Sequence, residues 1–183
     1  SRGLGDVYKR QQSAQSQRAI IKGGLRMSKL KEALESGKFV ITGELGPPKG
    51  VDISAMMEEA EKYLKGRVVA INVTDNQSSV MRIGSLGICA KLVQEGYEPI
   101  YQITCRDRNR LAIQSDILSA YILGIRNILA LTGDHPTLGD HPGSKPVFDL
   151  DSVSLLMTIN ELKNGKDLAG NELQGAPSEI FPG

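Results

Sequence analysis

Tryptophan is absent from the chain, and aromatic residues make up only 4% of it, so the core has to be built from aliphatic side chains. The two cysteines, Cys89 and Cys105, form no C-x-x-C pair, which argues against a disulfide framework. No apolar run approaches the roughly 18 residues that a membrane-spanning helix needs. The first residues also lack the apolar core of a secretion signal. Together these absences favour a cytoplasmic protein with reduced thiols.

Charge is nearly balanced, because the net charge of the 183 residues is +1, and this argues against a nucleic-acid surface dominated by lysine and arginine. Segment 1–26 nevertheless carries six basic residues and one acidic residue. It is rich in Gln, Ser, Gly and Arg and shows neither helical nor strand periodicity. We expect residues 1–26 to be a disordered, non-native extension without a function, and residues 27–183 to form the folded part.

From Met27 onward, strand-like and helix-like segments alternate. The four strand-like runs are KFVITGEL, VVAINVT, PIYQITC and NILAL. Four βα units with short apolar strands predict a parallel sheet with helices packed outside it. An open doubly wound sheet and a (β/α)₈ TIM barrel both fit this α/β pattern, although four units make only half of a barrel. Since LQGAPSEIFPG ends where a fifth strand would begin, we expect a barrel truncated to about its first four βα units.

The helix boundaries are predicted from capping residues. Ser28 is expected to cap a short helix that ends near residues 36–37, and Ser54 a second helix that ends at Gly66. The segment RDRN offers Asp107 or Asn109 as a cap, and the last helix is expected to begin near residues 151–152. The helix of RNRLAIQSDILSAYILG is expected to bury one face, formed by Leu111, Leu118 and Ile122.

Polar side chains follow all four predicted strands where the strands end. In parallel α/β folds the chemistry lies at the carboxyl ends of the strands, so this repetition predicts a functional site. A purely structural role remains open for several of them: Glu44 as a cap or ion-pair partner, RDRN as a solvated helix start, and Thr74 and Thr104 as ordinary strand residues. The strand-end residues are Thr42, Glu44, Thr74, Asp75, Asn76, Gln77, Gln102, Thr104, Arg106, Asp107, Asn109, Thr132, Asp134 and His135.

The segment LTGDHPTLGDHPG contains Gly-Asp-His-Pro twice and holds both histidines, His135 and His141. These residues lack the spacing of zinc ligands, so we predict no metal site. The chain also has no GxGxxG phosphate loop after the first strand and no GxSxG nucleophile elbow. The first copy, with Asp134, comes directly at a strand end, whereas the second, residues 139–142, is expected to be a turn.

Five segments, taken in order, resemble the N-terminal half of the methylenetetrahydrofolate reductase family. They are FVITGELGPPKG, VTDNQSS, QITCRDRNRLAIQSD, GIRNILALTGDHP and KPVFDLDSVSLL. The resemblance implies a (β/α)₈ barrel that binds FAD at the carboxyl ends of its strands. It also implies transfer of reducing equivalents from NAD(P)H, or another donor, through flavin to 5,10-methylenetetrahydrofolate. The product would be 5-methyltetrahydrofolate, which serves one-carbon and methionine metabolism.

The same resemblance implies roles for individual residues. Glu44 matches the general acid that protonates a folate nitrogen, and Asp134 matches an aspartate near the flavin and the pterin that stabilises developing positive charge. Some family members have His, Arg and Tyr where this chain has Gln102, Thr132 and Phe148. The positions that match residues lining or approaching the FAD are Thr74, Gln102, Leu131, Thr132, Gly133, Asp134, Phe148 and Asp149.

Two other functions are also compatible with the sequence. The barrel could be a subunit of a larger reductase that takes electrons from a partner protein, or a flavin- or folate-binding module without catalysis. We expect a small-molecule folate substrate, no nucleic acid or membrane partner, and a homo-oligomer or reductase complex. Because half a barrel leaves an unpaired strand edge, we expect segment 27–183 to be inactive by itself.

Overall fold

The computed structural model describes residues 27–183. The expected extension 1–26 lies outside the described residues. A π-helical turn, Ala60–Leu64, prolongs the second helix, and 3₁₀ turns follow at Gln77–Ser79 and Pro136–Leu138. None of the helices in the described part is long and apolar enough to cross a membrane. The elements are α1 (Lys29–Glu35), β1 (Thr42–Leu45), α2 (Ser54–Glu59), β2 (Ala70–Val73), α3 (Ser85–Gln94), β3 (Pro99–Thr104), α4 (Arg110–Ile122), β4 (Asn127–Leu131), α5 (Ser152–Lys163) and β5 (Phe181–Pro182).

The five strands form one parallel sheet in the order β1-β2-β3-β4-β5, which confirms the predicted parallel α/β fold. The fifth strand, β5, lies in the segment LQGAPSEIFPG, where the sequence predicted that a fifth strand would begin, and it pairs with Asn127 and Ile128 of β4. Each crossover advances one strand in the same direction, so right-handed connections place all the crossover helices on one face. A doubly wound sheet would reverse this direction at a switch point. The fold is therefore consistent with a TIM-barrel-like architecture, although the sheet is not closed.

The two faces of the sheet have different coverings. On one face, side chains such as Ile71, Tyr101 and Ile128 join apolar residues of α2 to α5 in the main core. We call the opposite face the inner face. Its N-terminal half, with Ala70 and Ile100, packs against Leu30 of α1. The C-terminal half of the inner face is left for the candidate site.

Helix α1 is tied to the bottom of the inner face by polar contacts. The Ser28 hydroxyl donates to the side-chain carbonyl of Asn127, and the Lys29 amide donates to Glu98 at 3.0 Å. Ser28 also accepts a hydrogen bond from the Lys31 amide, as the predicted N-cap should. These bonds fix the N-terminal end of α1 across the starts of β3 and β4.

Other local predictions divide into confirmed and wrong ones. Asn109, one of the two predicted alternatives, caps α4 through the amides of Leu111 and Ala112. Helix α5 begins at Ser152, as expected, and Asp151 caps it in a capping box with Ser154. Ser54 is not a cap, because it is the first helical residue and Ile53 precedes it without a side-chain bond. The observed first strand, Thr42–Leu45, is also shorter than the predicted run KFVITGEL.

The predicted buried face of α4 is wrong. Leu111 and Ile122 are each 74% exposed, while Ile113, Ile117 and Ala120 are fully buried. Both sets recur at helical spacing, so the pattern by itself did not decide which stripe faces the sheet.

Cys89 and Cys105 are both free and buried. Burial raises the pKa of Cys105 to about 11 and raises that of Cys89 still further. Neither thiol is therefore suited to act as a nucleophile near neutral pH.

Candidate active site

The alternation of side chains along each strand brings polar residues together on the inner face above α1. Glu44, Thr74, Gln102 and Leu131 come from four neighbouring strands or their ends. They line a cavity of 360 Å³, the inner cavity, whose wall also includes Gly133 and Asp134. Six of the nine residues to which the family resemblance gives roles therefore share one wall, including both predicted catalytic carboxylates.

Glu44 is held at the edge of this cavity by β1, where it lies opposite Asn72 of β2. Its side chain makes no hydrogen bond or ion pair with any other residue of segment 27–183. Neither structural role considered for it, capping or ion pairing, is therefore seen in the described part. An unengaged carboxylate facing a cavity is able to exchange a proton with a bound molecule.

The other three residues with a role implied by the resemblance line a second cavity of 540 Å³, which we call the rim cavity. Thr132, Phe148 and Asp149 line it, and Gly133 belongs to the walls of both cavities. The Thr132 hydroxyl accepts from the Ser152 amide at 3.1 Å and so satisfies a free N–H at the start of α5.

Gly133 separates the two cavities, and only glycine fits its position. Its φ is +92°, in the region that side chains avoid. An added β-carbon would also lie 3.1 Å from the Thr104 β-carbon and 3.2 Å from that of Arg106. The turn after β4 can therefore lie directly on the end of β3.

Thr74, a residue of the inner cavity wall, has an unsatisfied buried polar atom. The residue is 3% exposed, and its hydroxyl has no hydrogen-bond partner in the described part of the chain. A buried hydroxyl without a partner costs about 1–3 kcal/mol, so its presence marks a place where a bound molecule can complete the bonding.

Thr104 is engaged differently, through Asp75. The Asp75 carboxylate accepts from the Thr104 amide at 2.9 Å and its hydroxyl at 3.0 Å, and it pairs with Arg108 at 2.7 Å. Arg108 continues to Asp116 at 3.0 Å. Burial opposes the charge on Arg108, but the attraction of Asp75 outweighs it and raises the pKa of the guanidinium. This network anchors α4 to the ends of β2 and β3.

Arg106 is also buried at the end of β3, with 2% exposure. Its guanidinium holds both carboxylate oxygens of Asp107, at 2.8 and 2.7 Å. It also donates to the main-chain carbonyl oxygens of Asp134, at 3.3 Å, and Asn76, at 3.4 Å. Burial raises the pKa of Asp107, but the hydrogen bonds from Arg106 outweigh this and lower it. The sequence indicated a polar cluster here but not these partners.

The second Gly-Asp-His-Pro copy is more than the turn we expected. Asp140 pairs with Lys49 of the loop after β1 and accepts from the Met81 amide, in the loop after β2, at 3.0 Å. These bonds, with the His141 ring 2.8 Å away, hold the pKa of Asp140 well below its usual range. Three loops at the carboxyl ends of the strands are thereby tied together.

Phe148 and Asp149 are held by protein partners beside the rim cavity. The Phe148 ring lies 6.3 Å from the ring of His135 in a stacked arrangement, and its amide donates to the Cys105 carbonyl at 3.2 Å. Asp149 forms a two-pronged ion pair with Arg110, with both contacts at 2.8 Å. The hydrogen bonds from Arg110 lower the pKa of Asp149 to about 2.

Within residues 27–183, four non-glycine residues have positive φ: Asn76, Ser78, Ser79 and Phe148. Asn76, Ser78 and Ser79 belong to the loop after β2, and Phe148 belongs to the segment that lines the rim cavity. Such backbone costs of order 1–3 kcal/mol per residue and tends to occur at functional sites. Of these four residues only Asn76 is of a type that favours positive φ, so the sequence carried no signal for this conformation at Ser78, Ser79 and Phe148.

Within residues 27–183, no cluster of three or more His, Cys, Asp or Glu side chains could hold a metal ion. The two histidines have different partners. The His135 Nδ1 atom lies 2.9 Å from the Thr137 hydroxyl, whereas His141 lies beside Asp140.

Comparison with known proteins now adds to this geometry. The family model described as methylenetetrahydrofolate reductase matches residues 29–172, from α1 to beyond α5. A search of curated proteins gave no match. The matched segment covers most of the chain, including both cavities and all of the predicted site residues. The chain therefore belongs to the methylenetetrahydrofolate reductase family, a family of folate-pathway oxidoreductases.

Proposed function

We propose that the protein catalyses the FAD-dependent reduction of 5,10-methylenetetrahydrofolate to 5-methyltetrahydrofolate, with Glu44 and Asp134 as its catalytic carboxylates. The observation that carries the proposal is the inner cavity, whose wall holds both carboxylates at the carboxyl ends of parallel strands. Membership of the family supports the reaction class. The consecutive strand order supports a (β/α)₈ barrel as the complete architecture.

The described residues fit a bound flavin. The unpartnered Thr74 hydroxyl offers a hydrogen bond to a polar ring edge, and Gly133 leaves bare backbone where a flat ring system needs close approach. Gln102 and Leu131 complete a wall that is partly polar and partly apolar. In the rim cavity, Thr132, Phe148 and Asp149 are the residues we assign to the rest of the dinucleotide.

FAD supplies, when bound, the hydride that turns the one-carbon unit of the folate into a methyl group. Glu44 donates a proton to a nitrogen of the imidazolidine ring, and the C–N bond to that nitrogen breaks to leave an iminium cation. Asp134 stabilises the positive charge that develops as the ring opens. The two carboxylates thus have different tasks, one as proton donor and one as a fixed negative charge.

Glu44→Gln tests the proposal in the intact protein. We expect FAD to remain bound at wild-type stoichiometry and methylenetetrahydrofolate reduction to fall by about 10²- to 10⁴-fold, the usual contribution of a general acid. Flavin absorbance and the rate at which folate reoxidises reduced flavin measure the two effects. Glu59→Gln, an exposed change on α2, is the matched control. Unchanged folate reduction in Glu44→Gln would remove Glu44 from the mechanism and favour a binding module without catalysis.

We propose NAD(P)H as the electron donor, with a partner protein as the alternative. NADH, NADPH and a reduced ferredoxin, offered separately to the FAD-loaded protein, distinguish the two. Flavin bleaching by a nicotinamide supports the first, and bleaching by ferredoxin alone supports a subunit in a larger reductase. The expected homo-oligomer or complex is part of the same proposal and is measured by light scattering.

A further inference from the structure

We infer that Arg106 is a positioning residue that fixes the main chain of Asp134 to the end of β2 and so sets where the Asp134 carboxylate stands in the inner cavity. The inference rests on the proposed function, because it concerns the same site. It assigns a role to a residue of the inner cavity wall to which the proposed function gives no task.

The position of Arg106 suits this role. It follows β3, the central strand between β2 and β4, and every residue of β3 is buried. From there one guanidinium reaches the Asn76 carbonyl on the β2 side and the Asp134 carbonyl on the β4 side. Arg106 thus bridges the loops of two strands that do not pair with each other.

The guanidinium is itself held in place. Asp107 takes two of its N–H groups in a fork, and the Arg106 main-chain carbonyl accepts from the Val147 amide at 2.8 Å. Gly133 packs against the base of the Arg106 side chain. Because Gly133 has no side chain, the loop after β4 lies within contact distance of the Arg106 β-carbon. Residues 133–134 therefore rest on Arg106 through both packing and a hydrogen bond.

Arginine suits this position better than lysine. A guanidinium carries five N–H donors in a rigid plane, enough for a carboxylate fork and two carbonyl acceptors at once. The ammonium group of lysine has three donors at one point and cannot reach acceptors on two separate loops. Retaining the charge alone should therefore not retain the anchor.

The effect on catalysis follows from position rather than from charge. Displacing a reacting group by about 1 Å costs up to about 100-fold in rate. In Arg106→Lys we expect kcat for methylenetetrahydrofolate reduction to fall by about 10- to 100-fold, with the folate KM changed much less. We also expect faster hydrogen exchange at the amides of residues 132–138, which can be measured with or without flavin.

Arg108→Lys is the matched control in the intact protein. It makes the same change two residues later, at an arginine whose side chain is 19% exposed, which binds Asp75 and Asp116 and makes no hydrogen bond to the loop after β4. We expect it to lower the melting temperature but to leave kcat and the exchange of residues 132–138 unchanged.

Three results would overturn the anchor: wild-type kcat in Arg106→Lys, exchange unchanged in residues 132–138, or the same losses in both variants. If the wild-type protein binds no FAD or does not reduce the folate, the proposed function fails. The exchange comparison between the two variants still decides whether Arg106 holds the Asp134 loop.

Discussion

A β-carbon placed on Gly139 would lie 1.7 Å from the main-chain carbonyl oxygen of Ser79, so the two backbones touch with no room for a side chain. Ser79 has a φ of +59°, and Gly139 directly precedes the aspartate that pairs with Lys49. The loop after β4 is therefore seated on the loop after β2 by shape as well as by charge.

Gly139→Ala should separate these loops. We expect a loss of about 1–3 kcal/mol in the free energy of unfolding, the usual cost of forcing extra atoms into a packed contact. Urea denaturation followed by circular dichroism measures it. Gly143→Ala, in the same loop, is the control because a β-carbon added there would meet no atom within 4 Å, and its effect should stay within about 0.5 kcal/mol. Equal stability of the two variants would contradict the contact.

Asp75→Asn should be more damaging than its conservative shape suggests. The Asp75 side chain is fully buried, and the change leaves Arg108 without its main counter-charge. We expect a loss of about 3–5 kcal/mol in the free energy of unfolding. Asp116→Asn removes the more exposed partner of the same arginine and should cost less than about 1 kcal/mol. A similar cost for both changes would show that Asp75 does not anchor this network.

The Arg110–Asp149 ion pair should make part of the stability depend on acid pH. The folded-state pKa of Asp149 is lowered to about 2 from an ordinary value of 3.8. The ion pair therefore contributes fully above the unfolded-state value, and its contribution disappears as the pH falls through about 2. The difference in melting temperature between wild type and Asp149→Asn should be constant above about pH 5 and shrink from there to about pH 2, the range over which the folded and unfolded states take up the proton.

Arg110→Gln supplies the reference for that pH series. Without the guanidinium, Asp149 loses the side-chain hydrogen bonds that lower its pKa most and keeps only the bond from the main-chain amide of residue 110, so adding Asp149→Asn should change the melting temperature less than it does in the wild type. A wild-type difference that widens at low pH would have the wrong sign for an ion pair.

Sequence reasoning succeeded where the signal is local or repeated. The cap at Asn109 and the helix start near residues 151–152 were predictable because an N-cap bonds to amides only two or three residues ahead. Glu44 and Asp134 were placed near each other because parallel strands deliver their carboxyl ends to one edge, which makes residues from distant parts of the chain neighbours without any detailed packing.

What the sequence did not reveal depends on long-range geometry. Asp140 looked like part of a turn because its partners, Lys49 and Met81, lie far away in the chain. Arg106 could not be told from the neighbouring arginines of RDRNR, since each would be compatible with a solvated helix start. Only the orientation at the end of β3 makes one of them an anchor for the Asp134 loop and another a brace for α4.

The complete burial of β3 also determines how the candidate site moves. Strands paired on both sides and covered on both faces open only when the whole domain opens, whereas short edge strands such as β5 fray readily. The strand that opens least often is therefore β3, which carries Gln102 and Thr104 and is followed by Arg106. Thermal fluctuations that open the edge strands do not move β3, which lies beneath the reacting groups. The site therefore keeps its shape until the whole domain unfolds.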